Sequence, residues 1–186
     1  MHPASLRTAT LAVLLSLAGS GLAQSTPGAH DDAALPKPAT LIVDASLPRP
    51  QAEAMVLAAR RYDGFWSSGD AALMRQALAA DFTDRTLPPS RPQGLAGPLA
   101  AAKTFHAAVP DLRVQIVQML VTGDRVVSHM RFTGHFTGQM QGVRGSGQPV
   151  DFIATDLYRV QDGKIAENWH LEDNLTFMRQ IGLVKP

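Results

Sequence analysis

The sequence predicts an α+β domain. Apolar residues recur at helical spacing up to residue 108, and from residue 112 they alternate at the period of a strand. Two turn pairs, Gly123-Asp124 and Asp162-Gly163, sit where alternating stretches end, so successive strands fold back as an antiparallel meander. Helices followed by a meander make the α+β order, with the helices packed on one face of a curved sheet.

The first 23 residues read as a cleavable signal peptide. Arg7 supplies the positive start, residues 9–18 the apolar run, and Gly21-Leu22-Ala23 the small residues that a signal peptidase reads. The run is too short to span a bilayer, which takes about 20 residues. The expected address is therefore periplasmic or secreted, with no membrane span. Residues 24–50 contain Pro27, Pro36, Pro38, Pro48 and Pro50 and read as an extended linker or arm. Its apolar island, Thr40-Leu41-Ile42-Val43, is expected to lie against the domain as a short strand or arm.

The domain is expected over residues 51–186. Met55, Ala59, Tyr62 and Trp66 mark a first helix that Gly69 ends. Asp70 caps a second helix over residues 71–79. Pro and Gly make residues 85–98 a loop, and a third helix runs over residues 99–108 until Pro110. Strands follow over residues 112–122, 125–136, 150–160 and 164–172, with a Gly-rich crossover at 137–148. A last helix, residues 174–181, stops at Gly182.

Composition narrows the function. Of 17 basic residues Arg7 is the only charged one among the first 23, which leaves 16 basic against 16 acidic. Such a balance gives no electrostatic footprint for nucleic acid. The chain has no cysteine, so thiol catalysis and cysteine zinc sites are excluded. No two histidines have metal-ligand spacing on a helix, and no serine-nucleophile motif is present. Neither a metal nor a cofactor is expected.

The C-terminal half carries a resemblance. Phe152-Ile153-Ala154-Thr155-Asp156-Leu157-Tyr158-Arg159, then Asp162-Gly163-Lys164-Ile165, Glu167-Asn168-Trp169 and Gln180-Ile181-Gly182-Leu183 resemble the SnoaL-like polyketide cyclase (ester cyclase) family, of the nuclear transport factor 2-like fold. Pro110-Asp111-Leu112, Gly123-Asp124-Arg125-Val126 and the Gly134-to-Gly138 stretch fit as well. The resemblance implies a conical domain with an apolar pocket between a bent sheet and a long helix. It also implies ring closure by an intramolecular aldol reaction without metal or cofactor. In such cyclases an Asp directly after the Trp of the last strand is the general acid/base, near a His on the preceding strand. Here those slots hold His170 and Asp156, so the residue types have changed places. In Gly134-His135-Phe136 the His is displaced by one position from the Gly-Thr-His of many members, which sends it to the other face of its strand.

Whether Asp156 and His170 share a face depends on the hairpin. A two-residue Asp162-Gly163 loop pairs Gln161 with Lys164, sets Asp156 opposite Trp169 and points His170 away. A three-residue loop with left-handed Gly163 pairs Val160 with Lys164, and makes Asp156 and His170 diagonal neighbours within about 7 Å. The three-residue loop is the reading adopted. It gathers Asp156, Asn168 and His170 with Phe152, Ala154 and Tyr158 into an apolar wall with a few polar groups.

The expected catalytic pair is His170, as general base or acid, with Asp156 orienting it. Tyr62, Trp66, Phe152, Tyr158 and Asn168 are the candidate substrate-binding residues. As plain structure, the pair would satisfy itself inside the sheet, and Tyr62 and Trp66 would be core residues of the first helix. The expected function is cofactor-free cyclase- or isomerase-type chemistry on a small apolar carbonyl compound. The alternatives are a non-catalytic module that binds a hydrophobic ligand and a sheet that binds a partner protein. The outer sheet face, with Ile153, Leu157, Ile165, Trp169 and Leu171, is expected to make a homodimer.

Overall fold

The computed structural model of the chain describes residues 32–185. The expected signal peptide and the start of the Pro-rich segment lie outside them. Four helices and eight strands follow in the order β1 (Thr40–Val43), α1 (Arg49–Ser68), α2 (Ala71–Ala77), β2 (Leu78–Asp84), α3 (Ala96–Ala108), β3 (Arg113–Thr122), β4 (Arg125–Phe136), β5 (Gln139–Met140), β6 (Val143–Arg144), β7 (Gln148–Gln161), β8 (Lys164–Glu172) and α4 (Asn174–Gln180). The main sheet has the order β1-β3-β4-β7-β8-β2, and β5 and β6 form a separate small ladder. The class is the expected α+β, with helices on the concave face of an antiparallel-rich sheet.

The long α1 positions everything else. Its apolar stripe, Met55, Ala59, Tyr62 and Phe65, is buried against the sheet. Gly69 ends it in the left-handed conformation, with φ of 72° and its N–H on Phe65 O at 2.7 Å. Asp70 caps α2 by accepting from the Ala72 N–H at 2.8 Å. In β7 the buried residues are Val150, Phe152, Ala154, Asp156, Tyr158 and Val160, a strict period of two.

Several expectations need correction. The chain from Asp32 is fastened to α1: Arg60 donates to the carbonyls of Asp32, Leu35 and Pro36, and Leu35 is buried. The Thr40–Val43 island is the expected short strand against the domain, and it joins the sheet edge parallel to β3. The first helix begins at Arg49 and α3 at Ala96, both slightly earlier than expected. The second helix stops at Ala77, and the chain through Asp84 becomes a strand parallel to β8. Alternate burial of Phe82 and Asp84 is its period-two signature.

The β7–β8 hairpin resolves the register differently from the reading adopted above. Gln161 pairs with Lys164, so the loop has two residues, and Asp162 (φ 51°) and Gly163 (φ 70°) are both left-handed. A bulge then intervenes. Val160 pairs with Ile165 but Arg159 with Glu167, which leaves Ala166 as the extra residue. That residue flips every later side chain of β8. Asp156 therefore stands directly opposite His170, on the same face. Ile165, before the bulge, is fully buried in the core and does not belong to the outer face.

That outer face shows Ile153 (47 % exposed) and Leu171 (77 %), with half-buried Leu157 and Trp169 beside them. The Arg125 guanidinium lies 5.6 Å from the Trp169 ring centre. The last helix does not cover this face. Its Phe177 packs inside, 5.0 Å from Phe152 and 5.3 Å from Phe105.

Candidate functional site

The cone between α1, α3 and the sheet encloses a cavity. One side is aromatic and apolar: Tyr62, Trp66, Phe105, Phe132 and Phe152, with Met130, Pro98 and Ala154. The other is polar: Asp84, Arg91, Asp156, Asn168, His170 and Glu172. The enclosed room is about 40 Å³, so an organic ligand must displace side chains to enter. Arg91, on the segment joining β2 to α3, is half-exposed at the cavity. The base of that segment is fixed, because Gln93 accepts from the Asp84 N–H at 2.8 Å and donates to the Asp84 carbonyl at 2.9 Å.

His170 is clamped between two carboxylates. Its Nδ1 lies 2.7 Å from Glu172 Oε1, and its Nε2 lies 3.0 Å from each oxygen of Asp84. The His170 and Asp84 side chains are 7 % and 6 % exposed, and that of Glu172 is 30 %. Carboxylates only accept hydrogen bonds, so an imidazole that satisfies both must donate from both nitrogens and is an imidazolium.

Asp156 does not hold the His170 ring, contrary to expectation. Its Oδ2 accepts from Asn168 Nδ2 at 2.9 Å and from the Tyr158 hydroxyl at 3.2 Å. Its Oδ1 has no hydrogen-bond partner among the described residues, and the side chain lines the cavity. Asn168 Oδ1 is buried and also unpartnered. Tyr158 does not line the cavity. It is fully buried beneath it and bonds Asp63 Oδ1 at 2.7 Å. Of the expected binding residues, Tyr62, Trp66, Phe152 and Asn168 do face the cavity. His135 points outside, paired with Asp111 at 2.7 Å.

A family model described as SnoaL-like polyketide cyclase matches residues 56–181. The chain belongs to the SnoaL-like polyketide cyclase family. Among solved structures, a polyketide cyclase candidate from Bacillus cereus ATCC 10987 is 41 % identical, with a TM-score of 0.74 over 81 % of this chain and 95 % of that one. IdmH, a polyketide cyclase candidate from Streptomyces antibioticus, is 26 % identical, with a TM-score of 0.61 over 67 % of this chain and 96 % of its own. TsrD from Streptomyces laurentii, 24 % identical with a TM-score of 0.64, shares the fold over 75 % of this chain and all of its own. No curated protein matches.

Protonation in this SnoaL-like cavity follows from the geometry. Burial pulls the His170 pKa down, but the hydrogen bonds to Glu172 and Asp84 and the nearby carboxylates outweigh it and push it up to about 9. Burial works against the Glu172 carboxylate too, yet His170 brings its pKa below the ordinary value. Burial raises Asp156 to about 7, against the hydrogen bond from Asn168 and the pull of His170. Among the described residues no group of three or more His, Asp or Glu side chains is arranged to hold a metal ion.

Reading the sequence alone missed Asp84, Glu172 and Arg91. Glu172 had a signal, since it lies two residues beyond His170 and so shares its face. Asp84 had a weaker one, the alternation with Phe82. Nothing in the sequence places Arg91 at the cavity.

Proposed function

We propose that this protein carries out cofactor-free acid–base chemistry, enolisation or an aldol-type ring closure, on a small and largely apolar carbonyl compound. Asp156 is the proton-transfer group in this reading. The observation that carries it is the unpartnered Asp156 Oδ1 at the cavity, on a carboxyl whose pKa lies near neutrality, opposite an imidazolium. Both ring nitrogens of His170 already donate to carboxylates, so its role shifts from base to fixed positive charge. As carboxylate, Asp156 takes the proton from the carbon beside the carbonyl, and the His170 charge stabilises the enolate. The enolate carbon then attacks a second carbonyl carbon of the same molecule, and Asp156 returns the proton to the new alkoxide. Asn168 holds Asp156 by donating to its Oδ2, and the aromatic wall holds the apolar body. The polyketide cyclase description of the Bacillus cereus relative agrees with this substrate class.

Export by residues 1–23 and a homodimer through the Ile153, Trp169 and Leu171 face belong to the same proposal. A non-catalytic binding role is the second reading, favoured by the ring-lined cavity. The experiment identifies the small molecule that copurifies by mass spectrometry, then follows its α-proton exchange in deuterium oxide by NMR. Wild-type exchange lost in Asp156→Asn is expected. Full exchange in that variant removes Asp156 from the mechanism, and binding without turnover in the wild type leaves the binding role.

A further inference from the structure

Directly behind the cavity lies a carboxylic acid that the proposed chemistry does not use. Asp63, on the inner side of α1, is fully buried and lines no part of the cavity. A buried carboxyl is costly unless neutral or fully hydrogen-bonded, and the neighbouring inward positions of α1, Ala59, Tyr62 and Phe65, are hydrophobic. Ser128 Oγ donates to Asp63 Oδ2 at 2.8 Å. The Tyr158 hydroxyl lies 2.7 Å from Asp63 Oδ1 and 3.2 Å from Asp156 Oδ2. The oxygens of Asp63, Tyr158 and Asp156 therefore form a continuous chain from the interior to the cavity wall.

Counting hydrogens decides what this chain holds. A phenol carries one proton, so with both carboxyls ionised it could serve only one of them. The two negative charges would also repel each other in a dry interior. One added proton removes both problems. Either neutral Asp63 donates to the Tyr158 oxygen while Tyr158 donates to Asp156, or neutral Asp156 donates to Tyr158 while Tyr158 donates to Asp63. Shifting two protons along the hydrogen bonds interconverts these states with no change in charge. Burial keeps Tyr158 a neutral phenol and raises Asp63, like Asp156, to about 7.

We propose that Asp63 is a proton reservoir for Asp156, connected to it through the Tyr158 hydroxyl. The inference rests on the reading of Asp156 as the proton-transfer group. When Asp156 gives its proton to a substrate oxygen, the Asp63 proton moves to the Tyr158 oxygen as the Tyr158 proton moves to Asp156. Asp63 ends as carboxylate and Asp156 is again an acid. Before that step, with the shared proton on Asp63, Asp156 is the carboxylate that takes the proton from carbon, which leaves both carboxyls neutral, and the reverse shift restores this state for the next turnover. Asp63 and Tyr158 touch no substrate and are positioning residues of the relay. The titratable and charged groups around them are Tyr62 on α1, Asp84 on β2, His170 and Glu172 on β8, and Arg91 on the segment between β2 and α3.

The test titrates the Asp carboxyl carbons of the full chain by ¹³C NMR between pH 4 and 9, for wild type, Asp63→Asn and Tyr158→Phe. Circular dichroism checks that each variant is folded. Asp63→Asn keeps the shape and can still accept from Tyr158. In wild type the Asp63 and Asp156 signals are expected to move together over the same pH interval, each by part of its full range per step. In Asp63→Asn, Asp156 is expected to titrate alone in one full step, and in Tyr158→Phe the two curves separate. An Asp156 curve unchanged by Asp63→Asn overturns the relay, as does an Asp63 signal that titrates independently in wild type. Turnover separates the two ideas. The relay predicts that Asp63→Asn and Tyr158→Phe each lower kcat tenfold or more at unchanged KM. Inactive Asp156→Asn beside fully active Asp63→Asn keeps the Asp156 reading and discards the relay. Active Asp156→Asn discards the reading, while the titration still decides whether the proton is shared.

Discussion

Replacing Glu172 by Gln tests the His170 clamp without emptying the site. The imidazolium is favoured over a free imidazole by the difference between 6.5 and about 9, which corresponds to about 3 kcal/mol. Screening does not discount this much, because the His170 side chain is 7 % exposed. Glu172 is the foremost of the groups that raise it, and a charge-assisted hydrogen bond contributes about 1.5–3 kcal/mol, or about one to two pH units. Glu172→Gln should therefore lower the His170 midpoint from about 9 to roughly 7–8, read from the ring nitrogens in long-range ¹H–¹⁵N NMR spectra. Stability must follow with a definite sign. The folded pKa is raised, so the contribution is fully present below the unfolded value of 6.5 and is lost as the pH rises through about 9. Glu172 has a lowered pKa, so its own charge is lost only as the pH falls below its ordinary range. Urea unfolding at about pH 5.5 should show the variant less stable by about 1.5–3 kcal/mol, and at about pH 9.5 the difference should shrink towards zero. A wild-type midpoint near that of free imidazole, or a stability difference that does not change with pH, would refute the clamp.

Three further outcomes are expected. A Cβ on Gly138 would lie 1.8 Å from the Ala107 carbonyl oxygen, so Gly138→Ala should lower stability by about 3 kcal/mol in denaturant unfolding; an unchanged midpoint would contradict the packing of the link between β4 and β5 against the end of α3. Sedimentation velocity of the wild type should give a dimer mass, and Ile153→Arg or Leu171→Arg on the exposed face should give a monomer. A monomeric wild type removes the dimer proposal. N-terminal sequencing of the exported protein should begin at Gln24, and a mature chain still starting at Met1 removes the signal peptide.

The fold was legible because period and punctuation agree over long stretches. Gly69, Asp70 and Gly182 mark helix ends that the structure retains, and four long alternating runs become β3, β4, β7 and β8. Strand β2 was hidden because Leu78-Ala79-Ala80 continues the apolar spacing of α2. A strand that pairs only at a sheet edge needs little local propensity to form. The site was legible where it sits on regular strands and illegible where it depends on irregular ones. Asp156, Asn168 and Phe152 follow from the period of β7 and the resemblance. The position of His170 required the bulge at Ala166, which no turn residue announces. A three-residue loop takes Gln161 out of β7, whereas a two-residue loop with a bulge adds Ala166 to β8; the two registers differ by two residues, so the sequence pattern could select the face but not the opposing partner.

The placement of His on β8 and Asp on β7 has a physical account in their surroundings. Asp156 and His170 face each other across adjacent strands, so swapping Asp and His between the slots preserves a facing pair. The two slots are not equivalent, however. The β8 slot has Glu172 two residues along its own strand and Asp84 on β2, its other neighbour. A third carboxylate at that position would meet like charges, whereas an imidazolium there is doubly compensated. The β7 slot has no acidic neighbour in hydrogen-bond contact, but it is backed through Tyr158 by buried Asp63. A cation there would lack a direct carboxylate partner, while a carboxyl can share a proton with the interior. Placing His on β8 and Asp on β7 thus puts the permanent charge where it is compensated and the mobile proton where it can be stored.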